Sequence, residues 1–233
     1  MELHVGTSGY SYKEWNGSFY PEDLAAGDML RYYGERLGAV EINNTFYRLP
    51  TVTVLESWAE QVPASFRFSI KASQKITHRR RLAGADEETG YLVRTVRTLG
   101  ERLGVLLFQL PPNLKKDTER LAGFLRLLPP GLPAAFEFRH ESWMDDDVAG
   151  LLRAHGAALC CADTEDSEQD APIVATADFG YLRLRRPGYG DDELKRWLVN
   201  VRAQGWQRAF VFFKHEDEAA GPKMAARFLE LAG

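Results

Sequence analysis

The side chains able to do chemistry recur at one position of a repeated pattern, the C-terminal end of short segments in which apolar residues alternate. Ser8 ends the run His4, Gly6, Ser8. Glu41 and Asn43 follow Ala39, and Lys71 shares a face with Arg67 and Ser69. Gln109 closes Val105, Leu107, Gln109, and Glu137 and Arg139 follow Ala135. Asp163 follows Leu159 and Cys161, Arg183 and Arg185 follow Phe179 and Tyr181, and Lys214 follows Phe210 and Phe212. Side chains alternate across a strand with period two, so each set occupies one face. Glu41, Glu137 and Asp163 are the candidate acid and base groups, because close or buried carboxylates are tuned toward neutral pH. Lys71, held near other cations, could act as a base or as a nucleophile. Arg139, Arg183 and Lys214 would hold and neutralise an anion. Ser8, Asn43 and Gln109 would orient it, and Asp163 would position a cation or a water. The bland alternative is a self-paired network, for example Glu137 with Arg183, since each unpaired buried charge costs several kcal/mol.

Aromatic residues crowd the loops after the first two segments: Tyr10, Tyr12 and Trp15, then Phe46 and Tyr47. They could wall a pocket and stack on a sugar or base, or form a loop core over the strands. The stretch Arg183 to Gly190 enters a Gly-rich loop where barrels often bind phosphate. Asp191 and Asp192 then occupy the following helix start, where they would satisfy its free amides. Arg79, Arg80 and Arg81 could touch a polyanion or simply be solvated.

Eight strand-like segments, near 2–8, 39–43, 66–71, 104–110, 134–139, 157–163, 179–185 and 208–214, alternate with helical patterns. The latter lie near 22–37, 52–61, 86–102, 117–128, 142–155, 191–204 and 219–232. Asp117 and Asp191 read as helix starts, and Gly156 and Gly205 as stops. Thr164 to Asp178 reads as irregular, so the sixth helix is short or missing. Strand–helix alternation implies parallel strands joined by right-handed crossovers. A (β/α)8 TIM barrel, one α/β domain over 1–233, is preferred to an open doubly wound sheet. All eight strands end in polar residues, and no Gly-x-Gly-x-x-Gly follows the first.

Composition bounds the partners. The chain has 233 residues, 45% apolar and 27% charged, with a formal net charge of -4. That is one globular domain without the basic field of a protein that coats nucleic acid. Cys160 and Cys161 are adjacent and point to opposite faces, a usage that suits a reducing cytoplasm. No run is long and apolar enough for a membrane span, and no signal peptide is evident. The histidines show no paired metal spacing. A divalent-metal site from Glu41, Glu137 and Asp163 is conceivable, but the neighbouring cations oppose it. No organic cofactor motif occurs, and the oligomeric state is not legible.

Several of these segments together resemble one family. Gly6-Thr7-Ser8-Gly9-Tyr10-Ser11-Tyr12 with Trp15, then Phe19-Tyr20-Pro21, looks like its opening. Glu41-Ile42-Asn43-Asn44-Thr45-Phe46-Tyr47, Phe68-Ser69-Ile70-Lys71-Ala72, Gln109-Leu110-Pro111-Pro112 and Phe136-Glu137-Phe138-Arg139-His140 with Ser142-Trp143 continue it. The sequence is similar to the YecE-like family, domain of unknown function 72, along nearly its whole length. The resemblance implies a TIM barrel and no established activity. After the eighth strand the chain departs: Phe213-Lys214-His215-Glu216-Asp217 stands where many members carry paired Asn and an Asp.

The first expectation is therefore an enzyme doing acid–base, hydrolytic chemistry on a small anion such as a phosphorylated sugar or nucleotide. Glu41 and Glu137 would be its acid–base pair. The alternatives are a non-catalytic binding module for nucleic acid or a signalling anion, and a glycoside hydrolase.

Overall fold

The computed structural model describes residues 1–164, 172–214 and 217–233. Nine parallel strands form a single sheet: β1 (Glu2–Ser8), β2 (Ala39–Ile42), β3 (Arg67–Lys71), β4 (Leu103–Gln109), β5 (Ala134–Glu137), β6 (Ala158–Leu159), β7 (Cys161–Ala162), β8 (Phe179–Leu184) and β9 (Arg208–Phe213). Their order is β6-β5-β4-β3-β2-β1-β9-β8-β7. The two ends of that order, β6 and β7, are two halves of one sequence segment. One half pairs with β5 and the other with β8, so the sheet curls into a TIM-barrel-like ring that meets itself at this split strand.

The strands agree with the sequence reading to within a residue or two, apart from this sixth segment. There the expected parity fails. Ala158 and Cys160 join the inner core with Val105, Leu107 and Ala135, while Cys161 packs in the outer core beneath the helices. Asp163, on the parity of Cys161, therefore leaves the barrel interior. The physical reason is local. The segment changes partner midway, with Cys160 N donating to Phe136 O and Asp163 N to Arg183 O, so no continuous ladder spans it.

Among the described residues seven α-helices surround the sheet: α1 (Met29–Gly34), α2 (Val52–Gln61), α3 (Asp86–Val96), α4 (Thr118–Leu125), α5 (Asp146–Ala154), α6 (Asp191–Arg202) and α7 (Ala220–Ala232). Asp117 caps α4, its carboxylate accepting from Arg120 N at 2.9 Å. Gly156, with φ +62°, sits in the left-handed conformation just past α5 and ends it. α1 covers only Met29–Gly34 of the expected 22–37 helix; Gly27, a poor helix former, lies in the short 3-10 turn that precedes it. Between Thr164 and Asp178 no helix occurs among the described residues, and 165–171 lie outside them.

The core has two layers. The outer strand faces, including Val40, Ile42, Phe68, Ile70, Phe108, Phe136, Leu182 and Val211, pack under the helices. Inside the ring, Phe179, Tyr181, Phe210 and Phe212 fill the lower barrel, and His4 stacks on Phe210 at 4.7 Å. This aromatic plug leaves the upper interior to the polar strand ends.

The joint between β1 and β2 relies on glycine. A Cβ on Gly6 would fall 1.7 Å from the carbonyl oxygen of Ala39 and 2.8 Å from the Tyr33 hydroxyl. That hydroxyl accepts from Thr7 N and donates to Ala39 O, so a side chain of α1 completes the backbone bonding between the two strands. Gly6→Ala should lower stability by about 3 kcal/mol, since backbone cannot yield as a side chain does. Urea unfolding of the variant measures it, and an unchanged midpoint would contradict this close approach.

Candidate functional site

Above the aromatic plug three fully buried ionic groups meet. Arg183 of β8 lies between Glu41 of β2 and Glu137 of β5, and the three are 3%, 0% and 2% exposed. Arg183 donates from Nη2 to Glu41 Oε1 at 2.8 Å, from Nε to the same oxygen at 3.2 Å, and from Nη1 to Glu137 Oε2 at 2.5 Å. The remaining lone pairs are also engaged. Ser8 Oγ and Asn43 Nδ2 donate to Glu41 Oε1, and the Tyr181 hydroxyl donates to Glu41 Oε2 at 2.7 Å. Glu137 accepts from Gln109 Nε2 at 2.9 Å, Arg139 Nε at 3.1 Å and Arg185 Nη2 at 3.2 Å.

Burial pushes both carboxyls upward, but the charges and donors around them, Arg183 foremost, together outweigh it. Arg183, with Tyr181 at Glu41, and with Arg139 and Gln109 at Glu137, holds each below the usual carboxylate range. Both therefore remain ionised at neutral pH. The expected acid–base pair is instead the self-paired arrangement, a carboxylate–guanidinium–carboxylate triad at the barrel's polar floor.

A cavity of about 250 Å³ opens over this floor, lined by Ser8, Tyr12, Asn43, Phe46, Tyr47, Lys71, Gln109, Arg139, Arg183, Arg185 and Lys214. Lys71 ends β3 on its wall, and its carbonyl accepts from Thr45 Oγ1 at 2.7 Å. Its ammonium lies 4.5 Å from the centre of the Phe46 ring, a cation–π contact. It makes no hydrogen bond or ion pair among the described residues. Burial, and then the nearby Arg183 and Arg139, lower its pKa to about 8 against the opposing pull of Glu41 and Glu137. His78 meets the other side of this assembly edge-on, 4.9 Å from Phe46, and burial together with Lys71 lowers its pKa too.

Of the sequence-derived candidates, Ser8, Tyr12, Asn43, Lys71, Gln109, Arg139, Arg183 and Lys214 come together here, with Glu41 and Glu137 beneath. Tyr12 is carried there because Gly9 (φ +95°) turns the chain after β1, and the Tyr12 hydroxyl donates back to Ser8 O. Trp15 does not reach the cavity. It is 1% exposed and packs on Tyr12, Phe19 and Tyr20 as the core of its loop. Tyr10 does not line this cavity; it packs on Tyr33 and lines an adjoining groove that shares Tyr12 and Asn43 with it.

Asp163 serves the loop after β8. It accepts from Arg185 N and the Tyr189 hydroxyl and faces Arg186 at 3.6 Å, so it positions the chain that carries Arg185. The start of α6 is capped from within. Glu193, not Asp191 or Asp192, accepts from Gly190 N, while Asp191 pairs with Arg227. Arg186, in the same loop, is bound to Glu193 at 2.8 Å. In the arginine run, Arg80 faces Glu88 at 3.6 Å and Arg81 donates to Asn113. His215 and Glu216, in the departing segment after the last strand, lie outside the described residues. No group of three His, Cys, Asp or Glu side chains is arranged to hold a metal ion among the described residues.

Sequence reasoning passed over Tyr181, Arg185 and Phe46 as site residues. The first two lie on the same strand face as Arg183 by simple alternation, so the signal was present. Phe46 was grouped with the loop aromatics, and nothing in spacing shows that it underlies Lys71.

Removing Arg183 would strand two buried carboxylates. Arg183→Met should cost roughly 3–5 kcal/mol at pH 7. Because both carboxyls sit below their ordinary values in the fold, the triad stabilises fully above the usual carboxylate range and loses that contribution as pH falls below it. The gap between variant and wild type should therefore narrow on acidification. Urea titrations at several pH values read this, and a gap independent of pH would contradict it.

A sequence profile of the family described as "Protein of unknown function DUF72" matches residues 4–233. The UPF0759 protein YunF of Bacillus subtilis is 26% identical over 229 residues, covering 93% of this chain and 79% of its own. The UPF0759 protein YecE of Escherichia coli is 31% identical over 143 residues, covering 60% of this chain and half of its own. A crystal structure of a DUF72 family protein from Thermotoga maritima superposes with a TM-score of 0.85 at 27% identity, over 99% of both chains. One from Enterococcus faecalis gives a TM-score of 0.83 at 17% identity, over 99% of this chain and 95% of that one, a likeness of fold alone. No helix among the described residues is long and apolar enough to cross a membrane.

Proposed function

Since the chain belongs to the DUF72 family, whose function is unknown, we propose a function from its own site: an enzyme that binds a small anionic molecule, such as a phosphorylated sugar, at the barrel mouth. The observation that carries this reading is the separation of charge by depth. The carboxylates Glu41 and Glu137 are engaged below by Arg183, while Lys71, Arg139 and Arg185 stand on the cavity wall above. A ligand entering the cavity meets cations first. Guanidinium forks suit phosphate and carboxylate oxygens, and the low-dielectric floor strengthens the attraction.

The reactive group in this reading is Lys71, not a carboxylate. Glu41 Oε1 already accepts from Ser8, Asn43 and Arg183, which leaves it a poor base. The Lys71 amine, its pKa lowered to about 8, changes charge close to neutral pH. Ser8, Asn43 and Gln109 orient the substrate from the rim of the floor, and Tyr12 and Tyr47 wall the opening. A neutral oligosaccharide fits this cationic mouth poorly, and a glycosidase would need a carboxyl free to donate a proton. Two buried free cysteines agree with a reducing, cytoplasmic setting.

The test is a thermal-shift panel of phosphosugars, nucleotides, short nucleic acids and carboxylic acids at pH 7. A true ligand at about 100 times its dissociation constant adds about 2.7 kcal/mol of stability. Stabilisation by oligonucleotides alone would overturn the small-anion reading in favour of a binding module. The sign of the pH effect follows from Lys71, which is charged below about 8 and loses its proton above. Sulfate, whose own charge is constant in this range, should bind more weakly at pH 9 than at pH 7. Lys71→Met should bind it weakly at both, and calorimetry decides.

A further inference from the structure

Three features of Lys71 set it apart from an ordinary anion-binding lysine. Its amine lies over the face of Phe46 rather than against a carboxylate, and it has no hydrogen-bond or ion-pair partner among the described residues. The carboxylates that would otherwise hold it protonated are already bound to Arg183. Its backbone is fixed by Thr45 at the end of a central strand, so the amine is presented at a defined place on the cavity wall. An amine kept among fixed guanidinium groups and against an apolar ring is the usual setting for a nucleophilic lysine. Guanidinium groups stay protonated and do not compete as nucleophiles. The Ser8 hydroxyl is directed at Glu41 and away from such a role.

We propose that Lys71 forms an imine with a small aldehyde or ketone that carries a phosphate or carboxylate group. The proposal rests on the anion-site reading above and names the chemistry of its substrate. Arg139 and Arg185, which line the cavity while also donating to Glu137, would hold the anionic end, leaving the carbonyl carbon facing the Lys71 amine. A cavity of about 250 Å³ is smaller than those that enclose drug-sized ligands, which favours a compound of a few carbons.

The step balances without a redox partner. The neutral Nζ lone pair forms a bond to the carbonyl carbon, and the C=O π pair moves to oxygen. One amine proton passes to that oxygen, giving a carbinolamine. The nitrogen lone pair then forms the C=N bond as the C–O bond breaks. A proton from solvent completes the departing water, and the protonated imine keeps the second amine hydrogen.

The experiment uses the whole chain and two probes, glycolaldehyde phosphate and pyruvate, each followed by borohydride reduction and peptide mass mapping. Lys71 should be labelled at least tenfold faster than the surface residues Lys195 and Lys223 at pH 7. Sulfate should protect Lys71 and leave the others unaffected. Labelling by only one probe would assign the anionic group as phosphate or as carboxylate. Lys71→Arg, which keeps the charge, should lose the adduct at that position while still binding sulfate. Labelling of Lys71 no faster than the surface lysines, or labelling centred on Lys214, would overturn the proposal. Sulfate binding without a Lys71 adduct would overturn the imine and leave the anion site standing. A Lys71 adduct that sulfate does not protect, in a protein that no anion stabilises, would overturn the anion reading itself.

Discussion

One guanidinium, Arg183, bridges two carboxylates deep in the barrel, with Arg139 and Arg185 supplying further charge at Glu137, and the layout of the mouth depends on that arrangement. Desolvating three charges is costly, and mutual attraction offsets it only when every donor and lone pair is matched. Here the matching comes from four elements. Ser8 of β1, Tyr181 of β8, Asn43 after β2 and Gln109 of β4 supply the neutral donors that Arg183 cannot. The triad ties β2, β5 and β8 across the ring. In doing so it pairs the carboxylates at the floor and leaves Lys71, Arg139 and Arg185 on the cavity wall above them.

The layering follows from the same constraint. Below the triad the interior is closed by Phe179, Tyr181, Phe210 and Phe212, with the Tyr181 hydroxyl pointing up to Glu41. Above it the cavity is open, and Lys71 and Arg139 meet solvent or ligand. The transition from apolar plug to ionic floor to cationic mouth occurs within a few residues along each strand. That is why period-two alternation, and not a short motif, carried the information.

Much of this was legible in the sequence for that reason. Alternation placed Glu41, Lys71, Gln109, Glu137 and Arg183 on inner faces at strand ends, and the ring brings them together. It failed at the sixth segment, where Cys160 faces inward and Asp163 turns to the Arg185–Tyr189 loop. A strand too short to hold one ladder has no fixed parity to read. Alternation also does not tell a paired charge from a reactive one. Glu41 and Lys71 both lie at a strand end on its inner face, yet Arg183 locks Glu41, while burial and the neighbouring Arg183 and Arg139 loosen the proton on Lys71. Only the distances distinguish them. Trp15 shows the same limit for aromatics, where loop core and pocket wall have one composition.

The central claim is that Glu41 and Glu137 are permanent anions locked by Arg183. The direct measurement is an NMR titration of the side-chain carboxyl carbons in protein labelled at glutamate, with Glu41→Gln and Glu137→Gln used to assign the two signals. The account predicts that both titrate below the usual carboxylate range, with neither moving between pH 5 and pH 8. A carboxyl titrating near neutral pH would contradict it and would return acid–base chemistry to the glutamates.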